Sequence, residues 1–261
     1  MHRSSARARA GASLAAALLA SCALQGGPPD AAGKPVLLVV GATGGTGQEI
    51  VAQALRQGYA VRALVRDVDK ARTLFGGRIA YAVGDVREPR TLRAAMRGVD
   101  FVVSALGSNA QRDPENSAER VDYGGVRSLA EAAAAARVKH FVLTSSMGVT
   151  NPDHPLNATL DGLLGWKLKG EEALRASGVS YTIVRAARLN NDPGSELGIR
   201  VLQGDPRDVM GTIPRADVAA VLLAAVGREE AFGKTLEIMS DHERRPADWN
   251  RFFAGLAPDA G

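Results

Sequence analysis

Gly41, Gly44 and Gly47 recur at every third position in the run Gly41-Ala42-Thr43-Gly44-Gly45-Thr46-Gly47. Such spacing suits a chain that turns sharply out of a strand, lets its backbone approach a diphosphate, and then packs a helix closely on that strand. The helix opening near Gly45 turns unpaired N–H groups and the positive end of its dipole toward the turn, which favours phosphate oxygens. Thr43, Gly45 and Thr46 belong to the same candidate cradle. About 20 residues on, where an acid would hold a ribose 2′-hydroxyl, the next strand ends in Arg66, whose guanidinium suits a 2′-phosphate. Arg62 is a weaker second candidate, and Asp67 is the residue a 2′-hydroxyl would use instead. The expected ligand is therefore NADP, with NAD the less favoured alternative.

The elements that position these residues alternate. A continuous apolar run from Pro35 to Val40 reads as a strand buried on both faces, and a helical pattern follows through Gln57. Strands at Ala60–Val65, Ile79–Val83, Asp100–Ala105, Lys139–Thr144, Ser180–Arg185 and Thr235–Ile238 are separated by helices at Val68–Phe75, Arg90–Arg97, Ser117–Ala136, Leu160–Ala176 and Arg215–Gly227. Strands alternating with helices imply βαβ units, a parallel sheet and right-handed crossovers. The expected fold is α/β, a Rossmann-type doubly wound parallel sheet in a single domain spanning residues 35–257. Trp249, Phe252 and Phe253 fall near one face of a terminal helix, a pattern of packing against the sheet.

Composition removes other classes. The chain of 261 residues is 46% hydrophobic and 23% charged, enough for a buried core and too apolar for a disordered protein. Its formal charge is +4, but the first 21 residues hold Arg3, Arg7 and Arg9 and no acid, so the remainder carries +1. With 5% aromatic residues, that body lacks the charge and stacking surface of a nucleic-acid binder. One cysteine and four scattered histidines offer no metal cluster. The arginine-bearing start, the apolar run Ala10–Ala20 and the sequence Leu19-Ala20-Ser21-Cys22 have the layout of a secretory signal peptide ending in a lipobox. Residues 1–21 are expected to be that signal and residues 22–34 a flexible tether. Lipidated Cys22 would then hold an extracytoplasmic protein on a membrane; an unused leader would leave it in the cytoplasm.

The motifs together resemble the atypical short-chain dehydrogenase/reductases, specifically the NAD(P)H-binding group that includes NmrA-like and flavin-reductase-like proteins. The resemblance rests on Val39 to Gly47, Val61 to Arg66, Gly84-Asp85-Val86, Val121 to Val126, Phe141 to Ser146, Trp166 to Glu171, Tyr181 to Arg185 and Ile213 to Ala219. It implies that Asp85 and Val86 lie against an adenine, and that Ala105, Leu106 and Gly107 wall the cofactor. It places Ser145, beside Ser146, where a serine would hydrogen-bond a substrate carbonyl. Such strand-end serines also commonly satisfy their own backbone.

The resemblance further assigns the helix lysine to Lys167, which would hold the nicotinamide ribose, with Lys169 a substitute. The tyrosine of typical members would lie four residues earlier, on the same helix face, and that position is Leu163. Leucine donates no proton, and Trp166, Tyr123 and Tyr181 do not restore the spacing. The expected activity is hydride transfer from NADPH to a small acceptor of flavin or quinone type. The alternatives are a non-catalytic dinucleotide-binding or redox-sensing module and a nucleotide-sugar epimerase-like enzyme. Residues 186–193 should form one wall of the substrate cleft, with 151–159 the opposite wall or a lid. Arg215-Ala216-Asp217 is expected to cap and pack a helix.

Overall fold

The computed structural model describes residues 24–25, 33–241 and 249–260, so the expected signal segment and Cys22 lie outside the described residues. In chain order the elements are β1 (Leu24–Gln25), β2 (Val36–Val40), α1 (Gly45–Arg56), β3 (Ala60–Val65), α2 (Val68–Phe75), β4 (Ala80–Val83), α3 (Pro89–Ala95), β5 (Phe101–Ser104), a π-helix (Glu119–Gly125), α4 (Val126–Ala135), β6 (His140–Ser146) and α5 (Pro155–Thr159). There follow α6 (Leu163–Ala176), β7 (Tyr181–Ala186), β8 (Arg188–Asn190), β9 (Gly198–Leu202), β10 (Thr212–Pro214), α7 (Arg215–Ala225), a 3-10 turn (Glu229–Ala231), β11 (Lys234–Asp241) and α8 (Trp249–Ala254).

The main sheet runs in the order β1-β4-β3-β2-β5-β6-β7-β11-β9. Its pairings are parallel except at the two edges, where β1 meets β4 and β9 meets β11 antiparallel. Short β8 and β10 pair apart from it. The order reverses direction between β2 and β5, and that switch point is where an open parallel sheet leaves a crevice at its carboxyl ends.

Helices cover both faces, which explains the unbroken apolar strands. Leu37 and Val39 of β2 face a core shared with α1 and α7, while Val36, Leu38 and Val40 face one shared with α3, α4 and α6. Phe253 of α8 is fully buried in the first core, so the terminal aromatic group packs as expected.

Two differences from the sequence reading matter for the site. The expected single helix over Ser117–Ala136 opens instead with a π-helix before α4. Gly124 and Gly125 lie in this wide turn, and a Cβ on Gly125 would come within 2.7 Å of Val86 Cγ2, so the turn can sit directly on Val86. Strands β8, β9 and β10 and helix α5 were not read from the sequence; they are short, three to five residues each, and offer little periodicity.

Candidate functional site

The turn after β2 has the geometry its glycines implied. Gly41 adopts φ +75°, and a Cβ there would lie 2.5 Å from Ala105 O, so the backbone conformation and the neighbouring strand end both demand glycine. A Cβ on Gly47 would lie 2.1 Å from Gly41 O, which is how α1 comes to pack so closely on the turn. Gly44 is different: at φ −78° it caps α1 in an ordinary extended conformation, and its bare backbone faces the cleft. No side chain caps α1 and its first turn carries no acid, so the positive helix end stays open. These features fit a dinucleotide diphosphate.

A cleft of about 310 Å³ opens here, bringing together the predicted Gly41, Thr43, Gly44, Arg66, Asp85, Val86, Ala105, Leu106 and Gly107. Gly45, Thr46 and Gly47 continue into α1 beside it, with Thr46 and Gly47 buried. The sequence reading missed Lys70 and Arg112, which also line the cleft. Lys70 sits four residues after Arg66, one turn into α2, and that spacing was a usable signal; Arg112 comes from the loop after β5 and had none.

Arg66 is half exposed, 3.9 Å from Asp113. Arg62 is not at the cleft at all: it is buried, and its guanidinium donates to the carbonyls of Ala95 and Arg97 under α3. It shares the strand face of Leu64 but lies near the start of β3, away from the carboxyl end at which the cleft opens. Asp67 caps α2 by accepting from Lys70 N–H at 3.0 Å, a local role favoured for aspartate at that position. Asp85 accepts from the Arg87 guanidinium at 2.7 to 3.1 Å. Burial alone would raise its carboxyl, but hydrogen bonds from Arg87 outweigh that and hold it below the usual carboxylate range.

The residues expected to meet an acceptor lie on β6 and α6, and none of them is among the residues that line the cleft. Ser145 is buried and its Oγ has no hydrogen-bond partner among the described residues, whereas Ser146 Oγ donates to Met147 O. Leu163 and Lys167 are one turn apart in α6, as the spacing required. Lys167 Nζ, however, donates at 2.6 Å to Asp122 Oδ1 from the π-helix, and Asp122 Oδ2 accepts from Ser108 N–H next to the cleft wall. Lys169 lies over the Trp166 ring instead. Tyr181 is remote: it begins β7, at the end of the strand away from the cleft, donates to Asp259, and is pushed up to about 12, chiefly by burial.

Next to Ser145 in register lies Arg185, and next to that Glu237. Arg185 donates twice to Glu171 of α6 and once to Glu237. Both carboxylates are fully buried, and burial pushes Glu237 up despite its arginine.

The exit of β6 and the segment expected to be a wall are tied down, though neither lines the cleft. Asp205 accepts from Gly148 N–H, Thr150 N–H and the Thr150 hydroxyl, fixing the exit of β6. The 151–159 segment forms α5, capped by His154 Nδ1 and held by Asn157, which accepts from Leu164 N–H.

Comparison with known proteins places this geometry in context. Residues 41–229 match the family profile described as NAD(P)H-binding. Sanguinarine reductase of Eschscholzia californica is 32% identical over 255 residues, covering 82% of this chain and 92% of that protein. NAD(P)H azoreductase of Xenophilus azovorans is 37% identical over 152 residues, covering 58% of this chain and 47% of that protein. Among solved structures, ChuY, an anaerobillin reductase from Escherichia coli O157:H7, superposes with TM-score 0.68 at 22% identity, over 81% of this chain and all of that one, a likeness of fold.

Proposed function

Because the chain belongs to the NAD(P)H-binding family, we propose that it is an NADP(H)-dependent reductase whose small acceptor needs no proton from a protein side chain. The observation that carries the choice of dinucleotide is the lining of the cleft, which includes Arg66, Lys70 and Arg112. Asp67, the residue a 2′-hydroxyl would need, is engaged in capping α2. Among the described residues none of the three donates a hydrogen bond to a carboxylate, Asp113 standing 3.9 Å from Arg66, and such cations suit a 2′-phosphate. When bound, the dinucleotide supplies the hydride.

The chain's residues then bind, orient and exclude. Gly44 and the open end of α1 hold the diphosphate, and Ala105, Leu106 and Gly107 wall it. The Ser145 hydroxyl is the group available to donate to an acceptor oxygen or nitrogen. Leu163 stands where a phenol would donate a proton, so an acceptor whose reduced form takes its proton from water, as a flavin or quinone does, is the chemistry that fits. Relatives named as sanguinarine reductase and azoreductase support reduction of a small conjugated acceptor.

Calorimetric titration with NADPH and NADH, followed by NADPH oxidation with a flavin and quinone panel, tests both parts. NADPH binding tighter than NADH, abolished by Gly44→Asp, is expected; aspartate is a good helix cap, so this variant blocks the anion and keeps the fold. Equal affinity for the two would sink the NADP preference.

A non-catalytic module is the second reading, favoured by one observation: Lys167 is committed to Asp122. Tight NADPH binding with no turnover by any acceptor would establish it over the reductase. For the leader, the lipobox supports an anchored, extracytoplasmic protein: a palmitate analogue should label the chain and not Cys22→Ser, and absence of label on both would remove the anchor.

A further inference from the structure

Arg215 stands in an electrostatically unfavourable place. It is the first residue of α7, and its side chain lies across the first residue of α1: a Cβ on Gly45 would be 2.8 Å from Arg215 Cδ and 2.9 Å from its Nε. A guanidinium is thus set against the positive ends of two helices, where an anion, not a cation, is stabilised. Its hydrogen bonds among the described residues are to neutral acceptors, Asn190 O at 3.1 Å and Asn191 Oδ1 at 2.7 Å, both through one terminal nitrogen. No carboxylate among the described residues pairs with it. Asp217, the acid of the same turn, accepts from Ser195 N–H instead.

The arrangement is held from several sides. Gln53 of α1 donates to Ala216 O, locking the two helices together at this point. Arg215 and Asp217 between them fasten both ends of the segment 190–195 at the end of β8. Glycine at position 45 leaves the room the arginine occupies. A cation retained against two helix dipoles, with its remaining N–H groups uncommitted, is what a site for a doubly charged bridge requires.

We infer that Arg215 is a binding residue for the diphosphate of the dinucleotide, closing over it from the α7 side while Gly44 and the start of α1 hold it from below. The inference rests on the dinucleotide reading and extends it. It assigns to Arg215 a role distinct from Arg66: one recognises the diphosphate common to NADH and NADPH, the other the 2′-phosphate.

The test separates the two by ligand fragments in calorimetry. ADP-ribose carries the diphosphate without the 2′-phosphate; adenosine 2′-monophosphate carries the reverse. Arg215→Ala is expected to weaken NADPH and ADP-ribose roughly ten- to hundredfold, the loss of a charge-assisted contact, and to leave adenosine 2′-monophosphate unchanged. Arg66→Ala should do the opposite to the two fragments. Arg215→Gln, which keeps donors to Asn190 and Asn191 without the charge, should flatten the salt dependence of ADP-ribose binding. Unchanged ADP-ribose affinity and salt slope in both Arg215 variants, with the wild type binding, would overturn the inference alone. Equal loss of both fragments would also overturn it, showing a general disturbance of the cleft. A wild type that binds neither NADPH nor ADP-ribose would overturn the dinucleotide reading and this inference together.

Discussion

Two regions of the molecule treat charge in opposite ways: the cleft at the glycine turn, and the cluster on β6, β7 and α6 that does not line it. In the first, Arg66 is half exposed with only a 3.9 Å approach to Asp113, and α1 opens with no acid in its first turn. In the second region Lys167 is locked to Asp122 at 2.6 Å, and Arg185 holds Glu171 and Glu237 at 2.7 and 3.0 Å. Positive potential left open is positive potential available to a ligand, whereas charges paired in the interior stabilise the fold. On the proposed reading, affinity resides at the glycine turn, and the paired cluster supports the fold that holds Ser145 in place.

The largest expected effect tests the paired region. Glu171→Ala leaves Arg185 and Arg175 without the carboxylate they share, and should destabilise the protein by about 4–5 kcal/mol in urea unfolding. A loss under about 1 kcal/mol would mean that these charges are not part of the fold's support. Lys167→Met, which leaves Asp122 buried and unpaired, should lose about 3 kcal/mol, with much of it recovered in the double variant Lys167→Met/Asp122→Asn. If the single variant keeps its stability and loses ribose affinity instead, Lys167 belongs with the cleft.

Arg66→Ala should change no stability beyond a few tenths of a kcal/mol and reduce NADPH affinity about tenfold, ~1.4 kcal/mol, with NADH unaffected. A parallel loss for NADH would assign Arg66 to the adenine or ribose. The smallest effect is a pH slope. Burial raises the folded-state carboxyl of Glu237 above its unfolded value. Its proton therefore adds stability that is present below the unfolded value and lost as pH rises through the folded one. Glu237→Gln should flatten that loss, read as Tm against pH from 4.5 upward; an unaltered slope would place the titration elsewhere.

How much was legible in the chain follows the same division. Strand β2, the turn to Gly47 and α1 could be read directly, because one glycine run must satisfy φ, close packing and phosphate approach at once, and few other residues can. Arg66 was legible for a similar reason, being at a strand end of known position. Arg62 was offered on residue type, but it lies near the start of β3 rather than at its carboxyl end, and only the packing of α3 shows its carbonyl partners. Asp122 gave no signal, since its pairing with Lys167 depends on a π-helix that local pattern does not announce. Arg215 read as a helix cap, because its neighbour across space, Gly45, is far away in sequence.

The sequence by itself therefore determined the alternating sheet and the glycine cradle. These depend on residue type and local spacing, which the chain states directly. Tertiary structure decided which charges are neutralised and which stay open. That outcome depends on distances between segments such as Asp122 and Lys167 or Gly45 and Arg215, and Coulomb energies in a partly buried site change steeply over a few ångströms.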